Sequence, residues 1–220
     1  FERNKFDGLV LEAWLTMLMM ARSNGDILRY SHETFVEWGH DLHSRNMQLI
    51  LPIPPPVDGN GQHSLAHFNP EYWDHLAEAV DYIQIMTHDY YPLNEGERHF
   101  PQAPLHWVEQ NILAVIGRNG EYAKKVLVGA NHYGMKTDYK NRKQGAINAD
   151  AYIELLEDPD AELDWDHVSN EHLVRIGKDS ETYFPSLTFL EQRYGLARSY
   201  GAGISIWDLG QGLNYFSRLI

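Results

Sequence analysis

The sequence predicts an α/β fold built on a parallel sheet. Five short apolar, β-rich runs recur along the chain, an amphipathic helical stretch separates each from the next, and no linker divides the 220 residues. Two architectures satisfy that pattern: an open doubly wound sheet, or part of a closed (β/α)8 barrel. The G-x-G-x-x-G phosphate loop of nucleotide folds follows none of the runs. A complete barrel takes about 250 residues, so five units in this length leave about three strands unaccounted for. The chain also opens almost directly in a strand, as a piece of a longer protein would, and the pattern favours the barrel.

The first run, GLVLEAW (8–14), is expected to be one strand, which puts Val10, Glu12 and Trp14 on one side. A helix is expected around Phe35, Val36 and Leu42, followed by the strand MQLILPI (47–53) and the stiff triplet Pro54-Pro55-Pro56. Asn69 as cap and Pro70 at the first helical position open the next helix. Its apolar positions Trp73, Leu76, Ala77 and Val80 fall at i, i+3, i+4 and i+7. The strand YIQIM (82–86), a helix around Val108, Ile112 and Val115, and the strand KVLVGA (125–130) come next. The long gap from Ala130 to Gly203 holds more than one helix. LDWDH, HLVRI and ETYF within it indicate extra strands in a small insertion before the helix of Leu187, Leu190, Tyr194 and Ala197. GISIW (203–207) is the last strand. Near-continuous apolar character suits strands covered on both faces.

Charge and composition exclude several functions. Thirty-one acidic residues against eighteen basic ones leave a formal charge of −13, which repels nucleic-acid backbones and anionic membranes. No cysteine is present, removing disulfide frameworks and thiol chemistry. No apolar run approaches the ~20 residues of a membrane span. The opening FERNKFDGLV is no signal peptide, and there is no N-x-S/T sequon to argue for secretion. Twelve histidines are scattered without H-E-x-x-H or comparable spacing, so no metal is expected. No organic cofactor is implied, and no G-x-S-x-G elbow supports a serine nucleophile.

The run Phe6 to Trp14, FDGLVLEAW, resembles the fourth barrel strand of the family 18 chitinases, where F-D-G leads into D-x-D-x-E. Met86-Thr87-His88-Asp89 resembles the M-x-Y-D of the sixth strand. Lys125 to Gly134, with its Tyr133-Gly134 pair, resembles the seventh, and Gly203 to Trp207 the eighth. Within that family the FDG-x-V-x-E-x-W strand, Ala103 to Val108 and Ser205 to Phe216 are most similar to the chitinase domain-containing subgroup. The resemblance implies a single partial TIM barrel over residues 1–220, roughly strands 4 to 8, with a small insertion before the last helix. It also implies a secreted or lysosomal saccharide-binding protein linked to innate immunity. Its partner would be a chitin-type oligosaccharide or lipopolysaccharide, and beyond that a protein receptor.

The departures decide the expected chemistry. In family 18 the last glutamate of the fourth strand protonates the glycosidic oxygen while the sugar's own N-acetyl group attacks. The resemblance sets Trp14 at that position, and an indole has no proton to give, so no catalytic residue is assigned. Losing a general acid costs ~100- to 10,000-fold. Trp14 could instead stack on a sugar, or fill vacated space. Glu12 lies about 7 Å deeper along the strand; it is either a buried structural acid, a sugar contact, or a relocated acid in an active enzyme. His88 replaces the family's substrate-contacting tyrosine. Trp207 matches the tryptophan that floors the sugar pocket, and Asp89, Asn131, His132 and Tyr133 belong to the rim where barrel sites are built. Tyr90 and Tyr91 either line the groove or pack a loop. A silent saccharide-binding protein is the first reading. An active glycosidase and an interaction scaffold with a vestigial groove are the alternatives.

Overall fold

The computed structural model describes residues 5–21, 26–90 and 100–219; Tyr91 lies outside them. The chain runs β1 (Gly8–Val10), α1 (Trp14–Ala21), α2 (Asp26–Ser44), β2 (Gln48–Ile53), α3 (Pro70–Ala79), β3 (Tyr82–Ile85), α4 (Leu105–Val115) and β4 (Val126–Asn131). It continues through β5 (Gly134–Asp138), β6 (Lys143–Ile147), α5 (Ala149–Leu156), β7 (Ala161–Asp166), β8 (Glu171–Ile176), β9 (Ser180–Phe184), α6 (Leu187–Ser199) and β10 (Gly203–Trp207). None of the described helices is long and apolar enough to cross a membrane.

Five strands form one parallel sheet in the order β1-β2-β3-β4-β10, half of a barrel, with the helices packed on one side. Register explains the core. Leu51, Ile83 and Val126 are neighbours across the sheet, and one layer on so are Ile53, Ile85, Val128 and Ile204. These residues turn to the helices and join Trp73, Leu76, Val108, Ile112, Val115, Leu190 and Ala197 in a single apolar core. By the period of two, the opposite face carries Gln84 and Leu127, then Gly129 and Ser205, then Asn131 and Trp207. The expected start at Asn69 holds, its side chain accepting the Glu71 N–H at 3.0 Å, and α6 is capped in the same way by the Ser186 hydroxyl, which accepts the Phe189 N–H at 3.2 Å.

Helix α2 approaches α3 so closely that a Cβ at Gly39 would sit 2.1 Å from the Ala79 carbonyl oxygen. Gly39→Ala should therefore destabilise the protein by about 1–3 kcal/mol, because backbone must move. Gly195→Ala, on the exposed side of α6 with nothing within 4 Å, should instead stabilise by roughly 0.4–1 kcal/mol. Thermal unfolding of both variants checks the contrast, and equal shifts would contradict it.

The first strand is shorter than expected. Its ladder ends where the Leu11 N–H meets the Ile50 carbonyl, and a turn closed by Ala13 N–H to Leu11 O starts α1 at Trp14. Leu and Met dominate that helix, and their helix propensity wins over the β pattern. Val10, Glu12 and Trp14 consequently do not share a strand face.

The insertion between β4 and α6 is a second, antiparallel sheet, β6-β5-β9-β8-β7, with α5 against it. Tyr152 of α5 stacks on Phe184 at 4.1 Å. Two buried charges lock this unit to the half-barrel. Arg193 of α6 donates to the carbonyls of Ala103, Ser169, Asn170 and Phe189. Glu171 of β8 accepts the N–H groups of Gln102 and Ala103 at 3.1 and 3.0 Å. Burial pushes the Glu171 pKa up to about 7, against the pull of Arg193 and the two amides. Burial likewise lowers the Arg193 pKa to about 10, against the Glu171 charge.

Candidate functional site

The parallel strands all end on one side of the sheet, and the loops leaving β3, β4 and β10 bring the chemistry-bearing side chains together there. His88 and Asp89 follow β3. The Thr87 hydroxyl fixes that turn by donating to the Gly129 carbonyl at 2.8 Å. Gly129 is required, since a Cβ there would stand 2.5 Å from the Ile85 carbonyl oxygen and 3.0 Å from the His88 ring. The buried His88 ring lies nearly parallel to the Trp207 indole, 12° apart with centroids at 6.0 Å. Trp207, the last residue of β10, is 43% exposed, so His88 backs an indole that remains open to solvent.

Asp89 joins the cluster through two neighbours. It accepts a hydrogen bond from the Tyr133 hydroxyl, and its second oxygen lies 3.4 Å from His88 Nδ1. Burial raises the Asp89 pKa, but His88 and the Tyr133 hydroxyl outweigh it and hold the carboxyl below the ordinary range. Tyr133 moves the other way. Burial, and then the hydrogen bond to and charge of Asp89, push its hydroxyl above the ordinary range, with Gln102 acting in the opposite sense. The Tyr133 proton therefore stays on at neutral pH, and Asp89 is a carboxylate. Asn131, opposite Trp207 in the ladder, donates to the Tyr133 carbonyl at 2.9 Å.

Unpaired polar atoms concentrate in the same place. Among the described residues, nine buried side-chain nitrogen or oxygen atoms lack a hydrogen-bond partner in the protein. Seven belong here: two on Gln102, one each on Asn131, Ser205 and Asp208, and two on His88, whose Nδ1 has the 3.4 Å approach to Asp89 in place of a hydrogen bond of good geometry. Buried polar groups are normally paired, so this clustering sets the strand ends apart from the rest of the described residues. The set mixes donors with acceptors and presents both faces of amide and imidazole chemistry.

The structure brings together Trp207, His88, Asp89, Asn131 and Tyr133. Tyr90 borders them and also packs a loop: its hydroxyl donates to the Gly59 carbonyl at 2.9 Å and its ring meets Trp107 edge to face. His132 turns to the other side of β4, 3.0 Å from the Tyr194 hydroxyl and edge-on to Phe216, and is a core residue. Trp14 needs correcting as well. Its indole is 4% exposed, stacked on Phe35 and edge-on to His32, and it donates to the Ala66 carbonyl at 3.3 Å. Early termination of β1 swings it into the helix layer, where its ring offers no face to a sugar. Glu12 is exposed on the turn between β1 and α1 and is not a buried acid. Gln102 and Asp208 escaped sequence reasoning. Asp208 at least follows Trp207 directly, while a lone loop glutamine carries no pattern at all.

Comparison with known proteins agrees with this fold. The family model described as Glycosyl hydrolases family 18 matches residues 1–212. A chitinase from Chromobacterium violaceum superposes with TM-score 0.72 at 19% identity, over 93% of this chain and 68% of its own. The spore cortex-lytic enzyme SleL from Bacillus cereus gives TM-score 0.70 at 18% identity, over 94% and 51%. A class V chitinase mutant from Nicotiana tobaccum, solved in complex with NAG4, gives TM-score 0.69 at 18% identity, over 87% and 62%. The chain thus spans about three-fifths of the length of such structures.

Proposed function

Because the chain belongs to glycosyl hydrolases family 18, we propose that it is a chitinase-like protein of the chitinase domain-containing subgroup that binds saccharides without cleaving them. The observation that carries this is the cluster of unpaired buried polar atoms around the half-exposed Trp207 indole. An aromatic face with a few polar groups beside it is how proteins hold a sugar ring: the face gives affinity and the polar groups fix orientation. Trp207 is the stacking platform, and His88, Asp89, Asn131 and Tyr133 supply the polar contacts, with Tyr90 at the border.

Silence toward the glycosidic bond is supported by the residues at hand. By resemblance the family's acid position falls on Trp14, whose indole has no proton to donate and packs in the helix layer. Tyr133 binds Asp89 with a firmly held proton, and Asp89 is a carboxylate at neutral pH. Chitin-type oligosaccharides rank first as ligands. A carboxylate at Asp89, in a chain of formal charge −13, disfavours the phosphates of lipopolysaccharide. Secretion or lysosomal residence, a role in innate immunity and engagement of a protein receptor belong to the same reading.

Calorimetric titration of the full-length protein with an N-acetylglucosamine tetramer, beside a prolonged assay for cleaved product, tests it. Saturable binding with no product is the expected outcome. Cleavage that disappears in Glu12→Gln would overturn silence and make the exposed Glu12 a working acid. Neither binding nor cleavage would leave an interaction scaffold.

A further inference from the structure

Gln102, like His88, is a buried residue of the groove with two side-chain polar atoms among the unpaired ones of the site. It is 3% exposed, and among the described residues its carboxamide makes no hydrogen bond of ordinary geometry, the Tyr133 hydroxyl being the group it approaches. A leucine or methionine would fill that volume without stranding a donor and an acceptor. Its backbone, in contrast, is held at every point. The N–H donates to Glu171 Oε2 at 3.1 Å, and the carbonyl accepts from the Tyr90 N–H at 2.8 Å. The next residue, Ala103, is held as well: its N–H donates to Glu171 Oε1 at 3.0 Å and its carbonyl accepts from the Arg193 guanidinium at 2.6 Å. Burying a carboxylate and a guanidinium is costly, and here both charges converge on residues 102 and 103. The side chain so placed lies beside the Tyr133 hydroxyl, close enough to influence its proton.

We infer that Gln102 is a ligand-contacting residue of the groove, offering one donor and one acceptor to a neutral amide or hydroxyl of a bound saccharide, with Glu171 and Arg193 as its positioning residues. The assignment rests on the groove being a saccharide site. It adds a contact from the loop between β3 and α4, clamped there by the insertion.

The test is calorimetric titration of the full-length protein and its variants with an N-acetylglucosamine tetramer, each variant also followed by thermal unfolding. Gln102→Leu should bind roughly tenfold more weakly while its unfolding temperature holds or rises, since an unpaired amide is gone. A purely structural glutamine would lower the unfolding temperature instead. Glu171→Gln should also weaken binding, and the double variant should bind no more weakly than Gln102→Leu alone, because both act through one contact. Wild-type binding that Gln102→Leu leaves within twofold would overturn the assignment and spare the saccharide site. Additive losses would overturn the positioning role of Glu171. Absence of wild-type binding would overturn both the site and this contact.

Discussion

Replacing Arg193 with methionine is expected to lower the unfolding free energy of the full-length protein by about 3–5 kcal/mol, the range for removing one partner from a buried charged network. The guanidinium donates to four backbone carbonyls in three separate segments and sits 3.7 Å above the Phe189 ring. Methionine fills most of the space and satisfies none of those carbonyls. It also removes the charge that favours ionised Glu171, whose pKa burial already pushes up to about 7. At roughly 2–4 °C per kcal/mol, the unfolding temperature should fall by about 6–20 °C. Arg193→Lys restores the charge but not the planar fork, so it should recover only part of the loss. A methionine variant within about 2 °C of wild type would mean that the carbonyls find other donors and that the network contributes little.

The second large effect concerns Trp207. Trp207→Ala should weaken binding of an N-acetylglucosamine oligomer by about 10- to 100-fold, equivalent to roughly 1.4–2.7 kcal/mol. Stability should change little. The indole is 43% exposed and rests on His88 alone among the described rings. Trp207→Phe keeps a smaller apolar face and should fall between the two. Calorimetry on the three proteins reads the series directly. Equal affinities across it would remove the stacking platform from the proposed site.

Sequence reasoning succeeded where periodicity and capping agreed. Leu49, Leu51 and Ile53 repeat every second residue, and Asn69-Pro70 opens a helix whose apolar stripe has the spacing of the helix period, so these elements were legible. The strands β7, β8 and β9 were likewise visible as β-rich runs inside the long gap. The hairpin of β5 and β6 was not, because KQGAI is mostly exposed and shows no alternation. The end of β1 was misread for a different reason. LEAWL suits a strand or a helix, and the core that receives Trp14 is made of Phe35 and His32, more than a dozen residues away. At the site, Trp207, His88 and Asp89 could be placed because they stand at strand ends. Gln102 could not, because its position is set by Glu171 and Arg193, residues far along the chain whose convergence on one loop no local pattern announces.

That convergence also bears on how the protein can be re-engineered. The insertion leaves the half-barrel at Tyr133, one residue before β5, and returns through α6, so it looks like a cassette that could be exchanged between relatives. Its turn at Ser169 and Asn170 and its first β8 residue, Glu171, nevertheless share one hydrogen-bond network with the loop at Gln102 and Ala103. A transplanted insertion would have to bring a carboxylate in the place of Glu171, and a deleted one would take away that carboxylate and two of the four carbonyls that Arg193 meets. The unit of exchange is the insertion together with α6 and the residue 102–104 loop, and chimaeras cut at any smaller boundary should express poorly.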